Sequence, residues 1–478
     1  MFGRRDDEDD DVPSIPKLSR QSTSNFHPSY HNGSSNSSAS EKSVFSSRIT
    51  TKKRALSTGR LQFALGGSTH PGGSTVKPNQ DDYFIWKSKF DHTIVLGVLD
   101  GHGREVGDLA SRTAKKAFLE EFEDKETFAL IRKDPLRAFK LMFARVHRAI
   151  WNEFEAHYKG KGWNVREVGN IMMKKKTVGS WTCVHGGTTA SIIVILDSHK
   201  VYVANVGDSS VVMGPQRVKT RPATYFCDEI DGDDDKDEKG AAVFSAKEIT
   251  ANHSPEEPSE YHRIRLFRSK PDDSTRPSLR FVYDSLNYSK SNCHDVFEHL
   301  DASGVRMRIS GRGEYYKNVR QEWATLVCTP SSAKFQDALA FTRSLGDFHL
   351  QTYGVSHVPE VTCVDLHDLF REDGADDDEP LVILLASDGV WDNWRFADTI
   401  KEIQSIRQNL SDSSAPGGDS TACSSETICK QFMKKNLSLG LHNFGRQADN
   451  MTAITCIVTK PRGGRKRAVT GGGVDMVR

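Results

Sequence analysis

Apolar residues along the chain fall into short runs that either alternate with polar residues or stay apolar throughout. Runs of about four to eight residues, bounded by Gly, Asp, Ser or Lys, are typical of β-strands. The residues Asp197 to His199, between the second and third runs, predict a β-hairpin. The five predicted strands lie in TIVLGVLD (from Thr93), TTASIIVIL (from Thr188), KVYVANVGD (from Lys200), LVILLASDG (from Leu381) and TAITCIVT (from Thr452).

Two other segments show the helical spacing. Apolar residues recur at intervals of three and four from Val106 to Phe118, and again from Phe139 to Phe154. This spacing places them on one face of an α-helix. Two consecutive helices between strands do not fit a strict βαβ alternation, so the pattern favours an α+β fold in which helix pairs cover antiparallel sheets.

The polar stretches predict the domain boundaries. Residues 1–60 are acidic and then rich in Ser and Asn, which predicts a disordered tail. Residues 61–460 would form the folded domain, and residues 461–478 a basic, Gly-rich tail. Two insertions are expected within the domain, an acidic one at about 215–246 and a polar, irregular one at about 268–334.

Composition narrows the possible partners. Hydrophobic residues make up 36% of the chain, and the mean hydropathy is −0.55. The net charge of +1, from 65 basic and 64 acidic residues, gives no reason to expect nucleic acid or an anionic membrane as a partner. The eight cysteines are scattered and no apolar run is long enough for a membrane helix. We expect a monomeric, cytoplasmic protein, with the basic tail as a weak signal for the nucleus.

The strand TIVLGVLD ends on Asp100, and Gly101, His102 and Gly103 follow it. A dinucleotide site would need G-x-G-x-x-G, but the gap before Gly107 is one residue too long and the partner acid is missing. A calcium loop counted from Asp231 in the acidic insertion has no Gly at the required place. Neither site is supported.

A more specific signal is that aspartates stand at the ends of five separate apolar runs. Any one of them is more often a turn former or a helix cap. Together they indicate one carboxylate-rich rim, which needs cations to offset the repulsion. Oxygen ligands without thiols favour Mg²⁺ or Mn²⁺. The aspartates are Asp81 with Asp82, Asp100, Asp208, Asp388 and Asp449.

Seven ordered motifs carry a family resemblance. They span roughly Gly67 to Thr459 and resemble the successive motifs of the metal-dependent protein phosphatases of the PPM, or type 2C, family. The resemblance implies a four-layer αββα sandwich of two antiparallel sheets flanked by helix pairs. The motifs are VLDGHG, GGTTAS, VANVGDSS, ITANHSPEEPSEYHRI, ALAFTRSLGDF, LLASDGVWDN and ADNMTAI.

The resemblance also implies a centre of two Mg²⁺ or Mn²⁺ ions at one edge of the sandwich, with a third, weaker site. Asp100 resembles the carboxylate that bridges both ions, and the Gly101 carbonyl would bind one of them. The other implied positions are two direct ligands (Asp388 and Asp449), a holder of metal-bound water (Asp81) and ligands of the third ion (Asp208 and Asp392).

The implied reaction is hydrolysis of phosphoserine or phosphothreonine in phosphoproteins by a metal-bridging hydroxide. Such a pair of ions makes hydroxide available at neutral pH for in-line attack on phosphorus. His102 resembles the general acid that protonates the leaving oxygen. The class implied is a protein-serine/threonine phosphatase.

The chain departs from the family pattern at the phosphate-binding edge. Lys77 resembles a variant of the usual Arg, and a Lys lacks the bidentate fork of Arg. Gln80 stands where Glu is frequent, and with Asn450 it would support the metal ligands. Ser210 replaces a frequent Arg. These changes leave open a second hypothesis, a pseudophosphatase that binds phosphoproteins without turnover. A separate hypothesis is that the insertion at residues 268–334 governs substrate choice or regulation.

Overall fold

The computed structural model of the chain describes residues 60–74, 78–89, 91–218, 243–267, 278–290, 292–301, 306–372, 379–412 and 424–460. The predicted disordered tail, apart from residue 60, and the predicted basic tail lie outside these residues. The centre of the acidic insertion lies outside them as well.

The described residues form twenty strands, eight α-helices and two short 3-10 helices. The strands are β1 (Gln62–His70), β2 (Asp81–Lys87), β3 (Ile94–His102), β4 (Asn164–Val168), β5 (Ile171–Lys175), β6 (Thr182–Cys183), β7 (Gly187–Thr188), β8 (Ala190–Leu196), β9 (Lys200–Val206), β10 (Ser210–Val218), β11 (Val243–Glu248), β12 (Arg280–Tyr283), β13 (Phe297–His299), β14 (Met307–Ile309), β15 (Thr325–Cys328), β16 (Ala338–Leu339), β17 (Leu345–Gly346), β18 (Glu360–Asp365), β19 (Leu381–Ala386) and β20 (Met451–Thr459). The helices are α1 (Gly107–Glu123), α2 (Lys125–Lys133), α3 (Pro135–Gly160), α4 (Pro258–Phe267), α5 (Leu366–Glu372), α6 (Asp388–Trp391), α7 (Phe396–Asp412) and α8 (Ser425–Phe444), and the 3-10 helices are Leu350–Tyr353 and Gly445–Gln447.

Two antiparallel sheets form the centre of the molecule. One has the strand order β1-β20-β19-β10-β11, and the other has β17-β7-β3-β8-β9-β18 with β2 paired to β3. Buried aliphatic side chains from both sheets meet in one cluster, among them Leu96, Ile193, Ile383 and Ile454. Because this apolar layer belongs to both sheets, they stack face to face.

Helices cover the outer face of each sheet. α1, α2 and α3 bury a Phe-rich face against the second sheet, with Phe118, Phe143 and Phe154 fully buried. α6, α7 and α8 pack on the first sheet through residues such as Trp391 and Phe432. The four-layer αββα sandwich of the α+β class is therefore confirmed. None of the described helices is long and apolar enough to cross a membrane.

The predicted elements match the structure closely. β3, β8, β9, β19 and β20 correspond to the five predicted strands, and α1 and α3 to the two predicted helices. β8 and β9 form the predicted hairpin, with Leu196 opposite Lys200. Asp197 and Ser198 take φ values of 54° and 62°, the left-handed conformation of a tight hairpin turn.

The expectation of an irregular segment at about 268–334 is wrong for its described part. This part contains β12 to β15, and its side chains share a hydrophobic core with α4 and with residues that follow the segment. Tyr261, Phe281, Val327 and Phe341 are all buried there. We call residues 278–334 the flap subdomain. Its strands are only three or four residues long, so their apolar pattern is weak in the sequence.

Two further segments refine the predicted boundaries. β10 and β11 pair with each other, so both ends of the acidic insertion belong to the first sheet. Residues 164–183 form a separate sheet of order β4-β5-β6 between α3 and β7, which the sequence did not predict.

Candidate metal centre and active site

The β2–β3 pair brings two of the predicted aspartates together. Asp81 lies directly opposite Asp100 in the antiparallel register. Their side chains are nearly inaccessible, with 7% and 1% of the residue exposed. The Gly101 amide donates to the Gln80 carbonyl at 3.1 Å, which fixes the end of the pair. Two adjacent, buried carboxylates are unfavourable without a compensating positive charge.

A serine links this pair to the first sheet. Ser387 Oγ donates to Asp81 Oδ2 at 2.8 Å, and the Thr452 amide donates to the same Ser387 oxygen at 2.9 Å. Asp388, the next residue, begins α6 at the end of β19. Ser387 therefore holds the β2, β19 and β20 ends at one edge of the sandwich. Its role could not be predicted from the sequence, because the contact joins residues 306 positions apart.

The Asp449–Asn450 turn reaches the same edge. Asn450 Oδ1 accepts from the Gln80 amide at 2.8 Å, and its Nδ2 donates to the Pro71 carbonyl at 2.9 Å. Gln80 Nε2 in turn donates to the Gly103 carbonyl at 2.7 Å. Both predicted supporting residues thus cross-link the loops around the site.

Close backbone packing completes this edge. A Cβ atom at Gly389 would lie 2.0 Å from the Asn450 carbonyl oxygen. Only glycine fits after Asp388 for that reason. The backbone of α6 therefore lies directly against the turn that carries Asp449.

Asp208 joins the edge through two hydroxyl groups. The Asp100 amide donates to Thr189 Oγ1 at 3.1 Å, and this hydroxyl contacts Ser209 Oγ at 2.8 Å. Asp208 precedes Ser209 at the end of β9. Its Oδ1 is buried and has no hydrogen-bond partner among the described residues. A buried carboxylate oxygen without a donor is the position that a cation would satisfy.

Asp392 closes the short helix α6 and contacts the flap subdomain. Its amide donates to the Asp388 carbonyl at 2.7 Å, and its carbonyl accepts from the Val319 amide at 3.2 Å. The next flap residue, Arg320, donates to the carbonyls of Trp391 and Trp394. The flap subdomain is therefore attached to the helix that carries two predicted ligands, a contact that the sequence did not indicate.

His102 lies inside the protein rather than on its surface. It is 1% exposed, and its Nε2 contacts both carboxylate oxygens of Asp347, at 3.0 and 2.8 Å. Its Nδ1 is buried, and no residue that the structure describes forms a hydrogen bond to it. Asp347 takes a φ of 50°, rare for a residue with a side chain, and Ser344 Oγ donates to its carboxylate. Backbone strain of this kind is common where a side chain must be held in one direction.

Asp347 lies in the motif ALAFTRSLGDF, to which the sequence assigned no separate role. Its position 245 residues from His102 explains why the pairing could not be predicted. The only sequence signal was its membership of that motif.

A buried charged network supports this side of the site. Glu260 on α4 accepts from Arg263 and Arg343, with the closest contact at 2.5 Å to Arg343 Nη2. Burial favours the neutral acid, but these two cations hold the pKa of Glu260 well below its usual range. Thr342 Oγ1 also donates to Glu260 at 2.5 Å. The network joins α4 to the segment that leads to Asp347.

His253 connects the network to the loop before Asp208. Its Nδ1 donates to the Gly207 carbonyl at 3.1 Å, and its own carbonyl accepts from the Thr342 amide at 2.9 Å. Burial, with a further contribution from Arg343, lowers the pKa of His253 to about 3. The ring is therefore neutral at physiological pH.

The donor chemistry of this edge fits Mg²⁺ or Mn²⁺. The predicted ligands are carboxylates and one backbone carbonyl, which these hard cations prefer. Among the described residues, however, no group of three or more His, Cys, Asp or Glu side chains stands in position to hold an ion. The ligand set therefore stays a prediction. Lys77, the predicted phosphate-binding residue, lies outside the described residues.

Relatives in two plants share about a quarter of their residues with the chain. Probable protein phosphatase 2C 64 from Oryza sativa subsp. japonica is 25% identical over 323 residues, which cover 66% of this chain and 50% of the relative. Probable protein phosphatase 2C 35 from Arabidopsis thaliana is 26% identical over 329 residues, which cover 67% of this chain and 66% of the relative. The chain thus spans about half the length of the rice relative.

A solved structure is also similar. The crystal structure of serine-threonine phosphatase 2C from Toxoplasma gondii matches with a TM-score of 0.48 and 17% identity, over 83% of this chain and 95% of that chain.

The fold is thus an αββα sandwich in which strand ends carrying predicted ligands, such as the facing Asp81 and Asp100, lie at one edge. The family model described as Protein phosphatase 2C matches residues 84–269 and 319–440, more than half of the chain. The chain belongs to the protein phosphatase 2C family. The unmatched residues between these two ranges fall largely in the flap subdomain.

Proposed function

We propose that the protein is a metal-dependent serine/threonine protein phosphatase. The observation that carries this proposal is the edge at which Asp81 faces Asp100 and is bonded through Ser387 to the start of α6. Membership of the protein phosphatase 2C family supports the same activity. The substrates would be phosphoproteins that carry phosphoserine or phosphothreonine.

The metal ligands proposed are those at this edge. Asp100, the Gly101 carbonyl, Asp388 and Asp449 would hold two divalent cations, with Asp81 bonded to their water. Asp208 and Asp392 would hold a third, weaker ion. When bound, the pair of ions would supply a water of lowered pKa and positive charge for the phosphoryl oxygens.

The protein's own residues would manage the proton and the geometry. His102 would hold the proton for the departing Ser or Thr oxygen, and Asp347 would fix its ring direction. Gln80 and Asn450 would hold the loops around the ligands in place. Buried partners of this kind keep reacting groups within the small tolerance that catalysis requires.

The test compares the wild-type protein with Asp100→Asn in millimolar Mn²⁺, on phosphopeptides and on an aryl phosphate. We expect turnover on both substrates in the wild type and none in the variant, because the neutral amide would not replace a charged metal ligand. Asp108→Asn, which removes an equal charge from a half-buried position in the first turn of α1, where it pairs with Arg112, is the control and should keep full activity. Absence of phosphate release from the wild type would reject the proposal.

The second hypothesis, a pseudophosphatase that binds phosphoproteins, gives a different result in the same experiment. Neither the wild type nor Asp100→Asn would turn over, while a labelled phosphopeptide would still bind. Phosphopeptide binding without metal-dependent turnover would therefore favour the regulatory role.

The flap subdomain is the proposed determinant of substrate choice. It contacts α6 through Val319 and Arg320, and it exposes apolar side chains such as Leu300 and Ile309. Deleting the whole subdomain would uncover the core under α4, so point variants make a cleaner test. Leu300→Ser with Ile309→Ser should change phosphopeptide preference and leave aryl phosphate hydrolysis unchanged; equal loss on both substrates would contradict this role.

A further inference from the structure

The small sheet β4-β5-β6 lies next to the candidate active site. We call residues 161–183 the basic ribbon. β6 ends four positions before Gly187, whose partner in the neighbouring strand is His102. Lys174 on β5 is buried and donates to Glu105, three residues after His102. The ribbon is thus fixed to the loop that follows the proposed general acid.

Three cations on the ribbon have no acidic partner in the part of the chain that the structure describes. Arg166 and Lys176 are exposed and Lys175 is half-buried, and none of the three forms an ion pair with any residue that the structure describes. In the β4–β5 register Arg166 faces Met173, and Lys175 lies two positions further along β5. Arg166 and Lys175 therefore point to the same face as diagonal neighbours.

Tryptophan rings hold two of these cations in place. The Arg166 guanidinium lies 4.0 Å from the centre of the Trp181 ring, and Lys176 Nζ lies 5.0 Å from the centre of the Trp163 ring. Cation–π contacts of this kind restrict long, flexible side chains. The positive charges are therefore placed before any ligand arrives, which lowers the entropy lost on binding.

The ribbon also has a free strand edge. Among the described strands β4 pairs with β5 alone, so its outer backbone groups are open to an extended chain. Addition of a peptide strand to such an edge is a common mode of recognition, and charged side chains on the edge then select the sequence. The face is three strands wide and the whole chain has a net charge of only +1, which favours a peptide over nucleic acid or an anionic membrane.

We propose that the basic ribbon binds an extended acidic peptide segment, the flank of the phosphoprotein substrate, while the phosphorylated residue enters the site beside His102. This proposal rests on the proposed function, because it takes the peptide to be part of a phosphatase substrate. Binding of the acidic peptide can be measured without turnover. The ligand is recognised by its extended backbone and by its negative charges. Because side chains of an added strand alternate between the two faces, these charges would lie opposite Arg166 and Lys175 on one face and Lys176 on the other.

The experiment uses the full chain and two phosphopeptides that differ only in their flank, one with Asp and Glu and the other with Asn and Gln. The wild type should have a kcat/KM about tenfold higher for the acidic peptide, as three modest charge pairs would give. The triple variant Arg166→Met, Lys175→Met, Lys176→Met should lose this preference and keep its aryl phosphate activity. The matched control is Lys133→Met, Arg137→Met, Lys140→Met, which removes the same charge from exposed positions on α2 and α3 and should keep the preference.

A direct binding measurement tests peptide docking independently of phosphatase activity, so a failure of this proposal can be distinguished from a failure of the proposed function. Fluorescence anisotropy of a labelled, unphosphorylated acidic peptide, without metal, should show binding to the wild type and about tenfold weaker binding to the ribbon variant. Binding of this kind without any turnover would reject the phosphatase and keep the docking surface. Equal binding by both triple variants, or tighter binding of an oligonucleotide or of anionic vesicles than of the peptide, would overturn the proposal.

Discussion

His102 and Asp347 form a fully buried pair in which one carboxylate holds one ring nitrogen. Buried imidazoles need such a partner, because the direction of the ring and the place of its proton follow from the bond that the other nitrogen makes. If His102 is the proton donor, Asp347 acts through it as a positioning residue.

We predict that Asp347→Asn lowers kcat about 10- to 100-fold, the usual effect of losing a partner behind a reacting group. Steady-state kinetics on a phosphopeptide measure it. The double variant Asp347→Asn, His102→Asn should be no slower than His102→Asn alone, since the two residues act as a unit. Additive losses would show that Asp347 works independently of His102.

Burial of neutral His253 links stability to pH. The folded-state pKa is about 3, whereas an unfolded histidine titrates near its ordinary value of about 6.5. The unfolded chain therefore takes up a proton below about pH 6.5 and the folded chain does not, so this stabilisation is full above that pH and falls as the pH drops toward 3.

Between pH 7 and pH 5 the free energy of unfolding should fall by about 2 kcal/mol more in the wild type than in His253→Gln. Urea denaturation at the two pH values measures this difference, and the other titrating groups are common to both proteins. An identical pH dependence in the two proteins would contradict the assignment.

Helix α4 is attached to the active-site side of the molecule by Glu260, which is 1% exposed between two arginines. A carboxylate in this position fixes α4, and with it the core shared with the flap subdomain, to the segment leading to Asp347. Removing one member of such a buried group leaves the others without compensation.

Glu260→Gln should lower the free energy of unfolding by about 3 kcal/mol. Glu298→Gln, which removes a carboxylate from more open pairs with Arg308 and Arg312 on the flap subdomain, should leave it nearly unchanged. Chemical denaturation of the wild type and the two variants measures both changes. Similar losses of unfolding free energy in the two variants would argue against a special role for α4.

Strong periodicity decided which elements could be predicted. β3, β8 and β19 are buried throughout and β9 is buried after its first residue, all four are mostly apolar, and α3 repeats its apolar face over 26 residues, so each stands out in the sequence. The flap strands and the strands of the basic ribbon are short and mixed in composition. Their stability comes from residues distant in the chain, which a local pattern does not contain.

The whole molecule brings strand ends from two sheets to one edge, and a cation bound there would bind the folded state alone. Such binding stabilises by mass action. The effect does not depend on catalysis.

At a Mn²⁺ concentration about 100 times its Kd, the free energy of unfolding should rise by about 2.7 kcal/mol in the wild type. Thermal or urea unfolding with Mn²⁺ and with a chelator measures the change. Asp100→Asn should show little of it, and Asp108→Asn should show all of it. An unchanged wild type would mean that no ion binds at this edge.

The sequence by itself determined the αββα class, the main strands and helices, and the aspartates at strand ends, because hydrophobic periodicity and ordered motifs are local properties of the chain. Tertiary structure alone decided that Ser387 bonds Asp81, that Asp347 holds His102, that Arg320 contacts the end of α6, and that Arg166 of the ribbon lies over the Trp181 ring. The physical reason is that each of these contacts joins residues from separate elements, brought together only when the two sheets stack and the loops at their edge close.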